Sequence, residues 1–271
     1  MNGPVFQHEA MATTFQVFVA GRTEEYARQA AAAAFRELDR LEGELSRFIE
    51  TSDIARANQL TAGGSIVLGD AALQCLLGAA QISALTDRAF DPAYASPRAA
   101  GNEEPLFALD PTHHTLTSLT ERLCLDLGAV GKGFALDRMA EVLAEWDIES
   151  ACLQSGGSTV LTLAAPPDAP GWPVGVADQV IPFTNRAISG SGLAVQGRHL
   201  VDPRTGAPAA RQRRVWSFAG TAADADALST AFFVMDDARV IDFCRQHAGF
   251  GAALALADGA ARFIGLLGGR S

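Results

Sequence analysis

The chain has 271 residues, 48% of them hydrophobic, and a formal net charge of −10. That suffices for one large domain or two closely packed lobes. The acidic balance, without a basic run or a basic–aromatic stripe, argues against a nucleic-acid binder. No run of about 18 apolar residues exists, so no membrane segment is expected.

Four isolated cysteines, Cys75, Cys124, Cys152 and Cys244, form no C-x-x-C pair. They read as buried free thiols in a reducing compartment rather than as zinc ligands. The first nine residues carry neither a basic n-region nor an apolar h-region, so the expected location is cytoplasmic.

Thr13 to Val19 alternates as a strand does. Thr23 opens a helix with Glu24 and Glu25 in its first turn, and Phe35, Leu38, Leu41 and Leu45 follow at helical spacing. Ser52-Asp53 caps a short helix ending near Asn58, and Gly63-Gly64 is a turn. Asp70 starts a helix to about Leu85, with Leu73, Leu76, Leu77 and Ala80 inward. Residues 95–105 form a surface loop rich in Ala, Pro, Gly and Glu, and short strands follow at Phe107–Leu109 and Thr115-Leu116. A helix spans 132–145. Ala151–Leu153 is a strand broken at Gly156-Gly157, with Thr159–Leu163 its continuation or its partner. Val174–Val176 is a further strand, and Ala187–Gly192 ends one in a hydroxyl-bearing turn. His199–Asp202 is extended, Pro203–Pro208 a rigid loop, and Val215–Ala219 a strand. Helices cover Ala222–Met235 and about Ala238–His247. A hairpin at Ala252–Ala257 and Arg262–Leu267, turned by Asp258-Gly259, ends the sequence. There is no regular βαβ period, repeat or linker. The expected fold is α+β, with mixed, largely antiparallel sheets, packed helices and one domain over residues 1–271.

Two stretches carry chemistry. In Asp126-Leu127-Gly128-Ala129-Val130-Gly131-Lys132-Gly133-Phe134-Ala135-Leu136-Asp137, three glycines and a lysine stand where a helix begins. Free N–H groups, the helix dipole and Lys132 together suit a phosphate. The alternative is a tight strand-to-helix turn with a surface lysine. It is not a Walker loop, because Gly133 follows Lys132. In the second stretch, Asp226 and Thr230 stand four apart and share a helix face. Such a pair holds a hard cation such as Mg2+, or it merely places acids near a helix start. His199, before Asp202-Pro203-Arg204-Thr205-Gly206, is either a base or ligand contact or a loop anchor.

Taken in order, several motifs resemble the ApbE family of FAD:protein FMN transferases over residues 11–235. They are Met11-Ala12-Thr13-Thr14, Phe90-Asp91, the lysine stretch, Gly156-Gly157, Ser189-Gly190, His199-Leu200-Val201-Asp202-Pro203-Arg204-Thr205-Gly206 and Ala225-Asp226-Ala227-Leu228-Ser229-Thr230-Ala231. The resemblance implies a Mg2+-dependent reaction that splits FAD, attaches FMN through its phosphate to a Thr or Ser of a target flavoprotein, and releases AMP. It implies Mg2+ on the Ala129 carbonyl, Asp226 and Thr230, with Ser229 close by. FAD would meet Met11, Phe48, Ala89, Phe90, Asp91, Asp126, Lys132 and backbone near Val201. His199 and Asp226 are rival catalytic groups for the acceptor's proton. The family usually has glycine where Ala12 and Arg88 stand and alanine where Gly131 stands. The alternatives are an FAD pyrophosphatase with the same residues and a non-catalytic FAD-binding or storage protein.

Overall fold

The computed structural model describes residues 3–98, 104–192, 201–207, 209 and 214–265. Its frame is an eight-stranded sheet in the order β1-β2-β6-β7-β10-β11-β12-β13. Every adjacent pair in it is antiparallel. The strands are β1 (Val5–Ala10), β2 (Thr13–Val19), β6 (Ala151–Ser155), β7 (Thr159–Thr162), β10 (Arg186–Ser191), β11 (Val215–Ala219), β12 (Gly251–Ala255) and β13 (Ala261–Gly265). A small sheet joins β3 (Ser65–Val67), β5 (Thr115–Ser118) and β4 (Phe107–Asp110), and a hairpin joins β8 (Trp172–Val176) to β9 (Gln179–Phe183). The α+β expectation holds.

The helices start and stop where capping chemistry places them. Thr23 caps α1 (Glu24–Leu45) by accepting from the Tyr26 N–H, and Ser52 caps α2 (Asp53–Ala57) through Ala55. Small Ala27, Ala30, Ala31 and Ala34 on α1 give way to bulky Leu38 and Leu41, all buried. α1 packs on α4 (Gly131–Glu145). α5 (Ala222–Val234) lies across β7, β10 and β11, and α6 (Asp237–Gln246) lies beside β12 and β13. α3 (Asp70–Leu85) is apolar nearly all round, so spacing does not identify its inner face. Ala72, Leu73, Cys75, Leu76, Ala79 and Ile82 are buried, whereas Leu77 is exposed and Ala80 only half-buried, contrary to expectation.

Strands β10 and β11 are covered on both faces. Ile188, Trp216 and Phe218 pack with Val174 and Phe183 of the β8–β9 hairpin, while Ala187, Val215 and Ala219 join the helical core. Ser189 and Ser191 alternate with Gly190, so the Ser-Gly segment is strand rather than the expected turn. A Cβ at Gly190 would lie 2.9 Å from the Trp216 ring. Thr159–Thr162 is the antiparallel partner of β6. Strands β1, β3 and β9 are absent from the sequence reading. β1 pairs residue for residue with β2, and β9 contains Pro182 in a two-stranded ribbon, where a missing N–H is tolerated.

Candidate active site

The lysine stretch is entered by side-chain bridges, not by a strand. Asn58 acts as a substitute ladder partner: its Nδ2 donates to Leu125 O at 2.9 Å and its Oδ1 accepts from Leu125 N at 2.6 Å. Ser96 Oγ accepts from Cys124 N, and Pro92 O accepts from Asp126 N. The chain then turns into α4 at Gly131. The strand-to-helix alternative is therefore wrong in its first half.

Gly133 explains how two distant motifs meet. A Cβ there would lie 2.1 Å from Ala222 O and 2.8 Å from Ala223 N, so the starts of α4 and α5 touch backbone to backbone. Asp137, one turn further along α4, accepts from Ala222 N at 2.7 Å and Ala223 N at 2.8 Å. These bonds satisfy two of the free donors of α5. Burial pushes the Asp137 carboxyl up to about 7, against the lowering effect of the Ala222 and Ala223 N–H bonds. Asp137 lies within the quoted motif but had no role in the sequence reading.

This docking brings Asp226 to the start of α4. Its carboxylate is buried, with Oδ2 at 3.3 Å from the Gly133 N–H and 4.0 Å from Lys132 Nζ. Oδ1 faces Thr159 Oγ1 at 3.1 Å and Ser189 Oγ at 3.2 Å. Lys132 also donates to Gly128 O. The end of α4 that could have taken a phosphate thus already faces a carboxylate. Thr230 Oγ1 is buried with no hydrogen-bond partner among the described residues. Ser229 Oγ instead contacts Ser191 and Ser189 and donates to Asp226 O. Among the described residues, no three His, Cys, Asp or Glu side chains converge on one point. Any cation here would rest on Asp226 with hydroxyl and carbonyl oxygens.

Two adjoining pockets open on this centre. The first, about 290 Å3, is lined by Met11, Glu42, Arg47, Phe48, Asp126 and Lys132 among others. The second, about 320 Å3, is lined by Ala89, Phe90, Asp91, Tyr94, Asp126, Ala129, Lys132, Val201, Pro203 and Thr230 among others. Asp126, Gly128 and Lys132 belong to both. Of the expected residues, all but three line one pocket or both. Asp226 and Ser229 are buried behind them, and His199 lies outside the described residues.

Each wall has a local cause. Met11 and Ala12 form the two-residue turn between β1 and β2, with φ 49° and 57°. That is the turn type in which both central residues are left-handed. The Met11 N–H donates to Glu42 at 2.8 Å. Phe48 is 79% exposed, with the Arg47 guanidinium 4.5 Å over its ring. Asp87 and Arg88 leave α3 at φ 47° and 60°, so both hold a left-handed backbone. Arg88 and Arg98 approach Asp91 Oδ2 at 3.1 and 3.5 Å, and the Ala93 N–H donates to Oδ1. Both Asp91 oxygens are therefore engaged within its own loop.

Asp126 is reached from both walls, by Arg47 Nε and Tyr94 Oη, each at 3.4 Å. Burial, then the Asp126 charge, pushes the Tyr94 hydroxyl upward. Arg204 grips Asp202 through two 2.8 Å bonds, and Gly206 N donates back to Asp202 O, so the Asp-Pro-Arg-Thr-Gly segment closes on itself. It presents Val201 and Pro203 to the second pocket. The Arg204 guanidinium holds the Asp202 carboxyl below its ordinary value. Arg47, Tyr94, Glu42 and Thr159 were missed by sequence reading. Only their neighbours lie in recognisable motifs, and the contacts cross long sequence separations. No described helix is long and apolar enough to cross a membrane.

The fold is shared with solved structures. A flavin transferase ApbE from Vibrio cholerae superposes with a TM-score of 0.80 at 19% identity, covering 96% of each chain. The ApbE protein of Thermotoga maritima superposes with a TM-score of 0.81 at 24% identity, again covering 96% of each. An FAD:protein FMN transferase from Treponema pallidum is 28% identical over 170 residues, 54% of this chain and 47% of the relative. The matched region thus spans about half the length of that curated relative. The ApbE family model matches residues 11–254. With the match covering most of its length, the chain belongs to the ApbE family.

Proposed function

We propose that this protein is a Mg2+-dependent FAD:protein FMN transferase. It cleaves FAD, attaches FMN through its phosphate to a Thr or Ser of a target flavoprotein, and releases AMP. The observation that carries the reading is the pair of pockets joined at Asp126, Gly128 and Lys132. A two-part cleft with a cation at its junction suits a dinucleotide with a pyrophosphate at its middle.

Phe48 faces the flavin ring, Met11 lies near the cofactor, and Ala89, Phe90, Asp91 and backbone near Val201 also line FAD. Lys132 sits against the pyrophosphate. The donor set fits Mg2+: Thr230 Oγ1, which has no partner among the described residues, the Ala129 carbonyl and Asp226 are hard oxygen ligands, with Ser229 adjacent. Charge gives a further argument. Asp226 stands at the α4 start and repels a phosphate unless a cation lies between them. When bound, Mg2+ neutralises charge on the pyrophosphate and on the departing AMP. His199 and Asp226 remain the two candidates to take the acceptor's proton, and loss of transfer with retained FAD binding in His199→Asn would select the histidine. The whole of residues 1–271 acts as one domain in this reading.

The test combines purified protein, FAD, Mg2+ and a candidate flavoprotein bearing a Ser/Thr acceptor. AMP and a covalently flavinylated target are expected. Free FMN and AMP alone would make the protein an FAD pyrophosphatase, and bound FAD without AMP at any Mg2+ level would make it a flavin-storage protein. Asp226→Ala is expected to abolish Mg2+-dependent AMP release with the fold retained, and Lys132→Ala to weaken FAD binding.

A further inference from the structure

Behind Asp226 lies a set of buried hydroxyls, of which the reaction above involves Ser229 alone. Thr159 on β7, Ser189 and Ser191 on β10 and Ser229 on α5 are all essentially inaccessible to solvent. Ser191 Oγ lies 2.9 Å from Ser229 Oγ, which lies 3.2 Å from Ser189 Oγ, which lies 2.9 Å from Thr159 Oγ1. Thr159 and Ser189 each also reach Asp226 Oδ1, at 3.1 and 3.2 Å. We propose that Thr159 and Ser189 are interchangeable positioning residues: either one donates to Asp226 Oδ1 and so fixes Oδ2 toward Lys132 and the cleft.

The interchange follows from proton counting. Each hydroxyl carries a single proton, and an ionised carboxylate only accepts. Thr159 and Ser189 are hydrogen-bonded neighbours, so they cannot both donate to Oδ1 while one donates to the other. One arrangement has Ser189 donating to Thr159 and Thr159 to Asp226; the other reverses the first two. Either leaves Oδ1 satisfied and the second hydroxyl polarising the first. Deleting one hydroxyl leaves the other free to donate. Deleting both leaves a buried carboxylate oxygen without its donor, a costly state that favours rotation of the side chain. The strand pattern supports a dedicated role. Ser189 and Ser191 point to α5, while Gly190 between them makes room for Trp216 on the opposite face.

The inference rests on the reading of Asp226 as a cation-holding carboxylate. Its test follows free Mn2+ by EPR as the ion is titrated into FAD-saturated wild type, Thr159→Val, Ser189→Ala and the double variant, with melting temperatures measured on each. The single variants are expected to weaken Mn2+ binding by about twofold or less. The double variant is expected to weaken it by about tenfold or more, the scale of a lost outer contact to a metal ligand. Thr159→Ser on the Ser189→Ala background is expected to match Ser189→Ala alone. A folded double variant that keeps affinity within about twofold overturns the inference, as does a double effect equal to the product of the singles. If the double variant does not fold, crystal structures of the single variants decide. Asp226 Oδ1 on the surviving hydroxyl supports the inference, and a carboxylate turned away from it overturns it. Wild type that binds no Mn2+ removes the metal reading itself and this inference with it, whereas binding in wild type confines any failure to the hydroxyls.

Discussion

The turns around the cleft differ in where glycine stands and in what it does there. Met11-Ala12 and Asp87-Arg88 hold left-handed backbones, at φ 49°, 57°, 47° and 60°, with no glycine among them. Residues 126–133 contain three glycines, and none of those three is left-handed. In the motif, glycine serves proximity: Gly133 admits the backbone of α5. In the two outer turns the backbone shape persists with side chains that pay a conformational penalty, roughly 1–2 kcal/mol per residue. Composition alone would have assigned the strain to the wrong loops.

Substitutions can break or sharpen this contrast. Gly133→Ala is expected to be the most damaging, because its Cβ meets backbone at 2.1 Å and backbone cannot rotate away. A loss of about 3 kcal/mol, measured by denaturant unfolding, should accompany loss of AMP release. Next is Asp137→Ala, expected to cost on the order of 1–2 kcal/mol as a lost helix cap. Because burial raises the folded-state Asp137 pKa to about 7, the folded chain binds more protons than the unfolded one between about 4 and 7. Its contribution to stability is therefore present at acidic pH and lost as pH rises through that window. Asp137→Asn should flatten that part of the stability-versus-pH curve.

Smaller gains should come from two alanine–glycine exchanges. Ala12→Gly is expected to raise stability by about 0.5–1 kcal/mol by removing left-handed strain. Gly131→Ala should add about 0.5 kcal/mol, because the position is helical and its nearest neighbour is Leu127 Cβ at 3.6 Å. A melting-temperature loss in either would contradict the comparison.

Most helices were legible because their ends are written locally. Thr23, Ser52 and Asp70 stand at or beside the helix starts that the structure shows. β1 was not legible, since its identity as a strand depends on β2, and the inner face of α3 was hidden by apolar residues on every side. The motifs named about half of the first pocket's lining and most of the second's. They could not reveal that α4 already holds a carboxylate, that Asp137 caps α5, or that Arg47 and Tyr94 converge on Asp126. Those facts depend on helix docking and loop closure, which no local pattern encodes.

The Asp226 carboxylate meets its partners across 37, 67 and 93 residues of sequence, at Ser189, Thr159 and Gly133. Each contact closes a long loop, and long loops close late and slowly during folding. A half-folded chain therefore has the right residues and no site. Any small molecule that recognises this assembled centre binds the finished fold alone, so it acts as a folding ligand whose concentration sets how much of the chain stays folded.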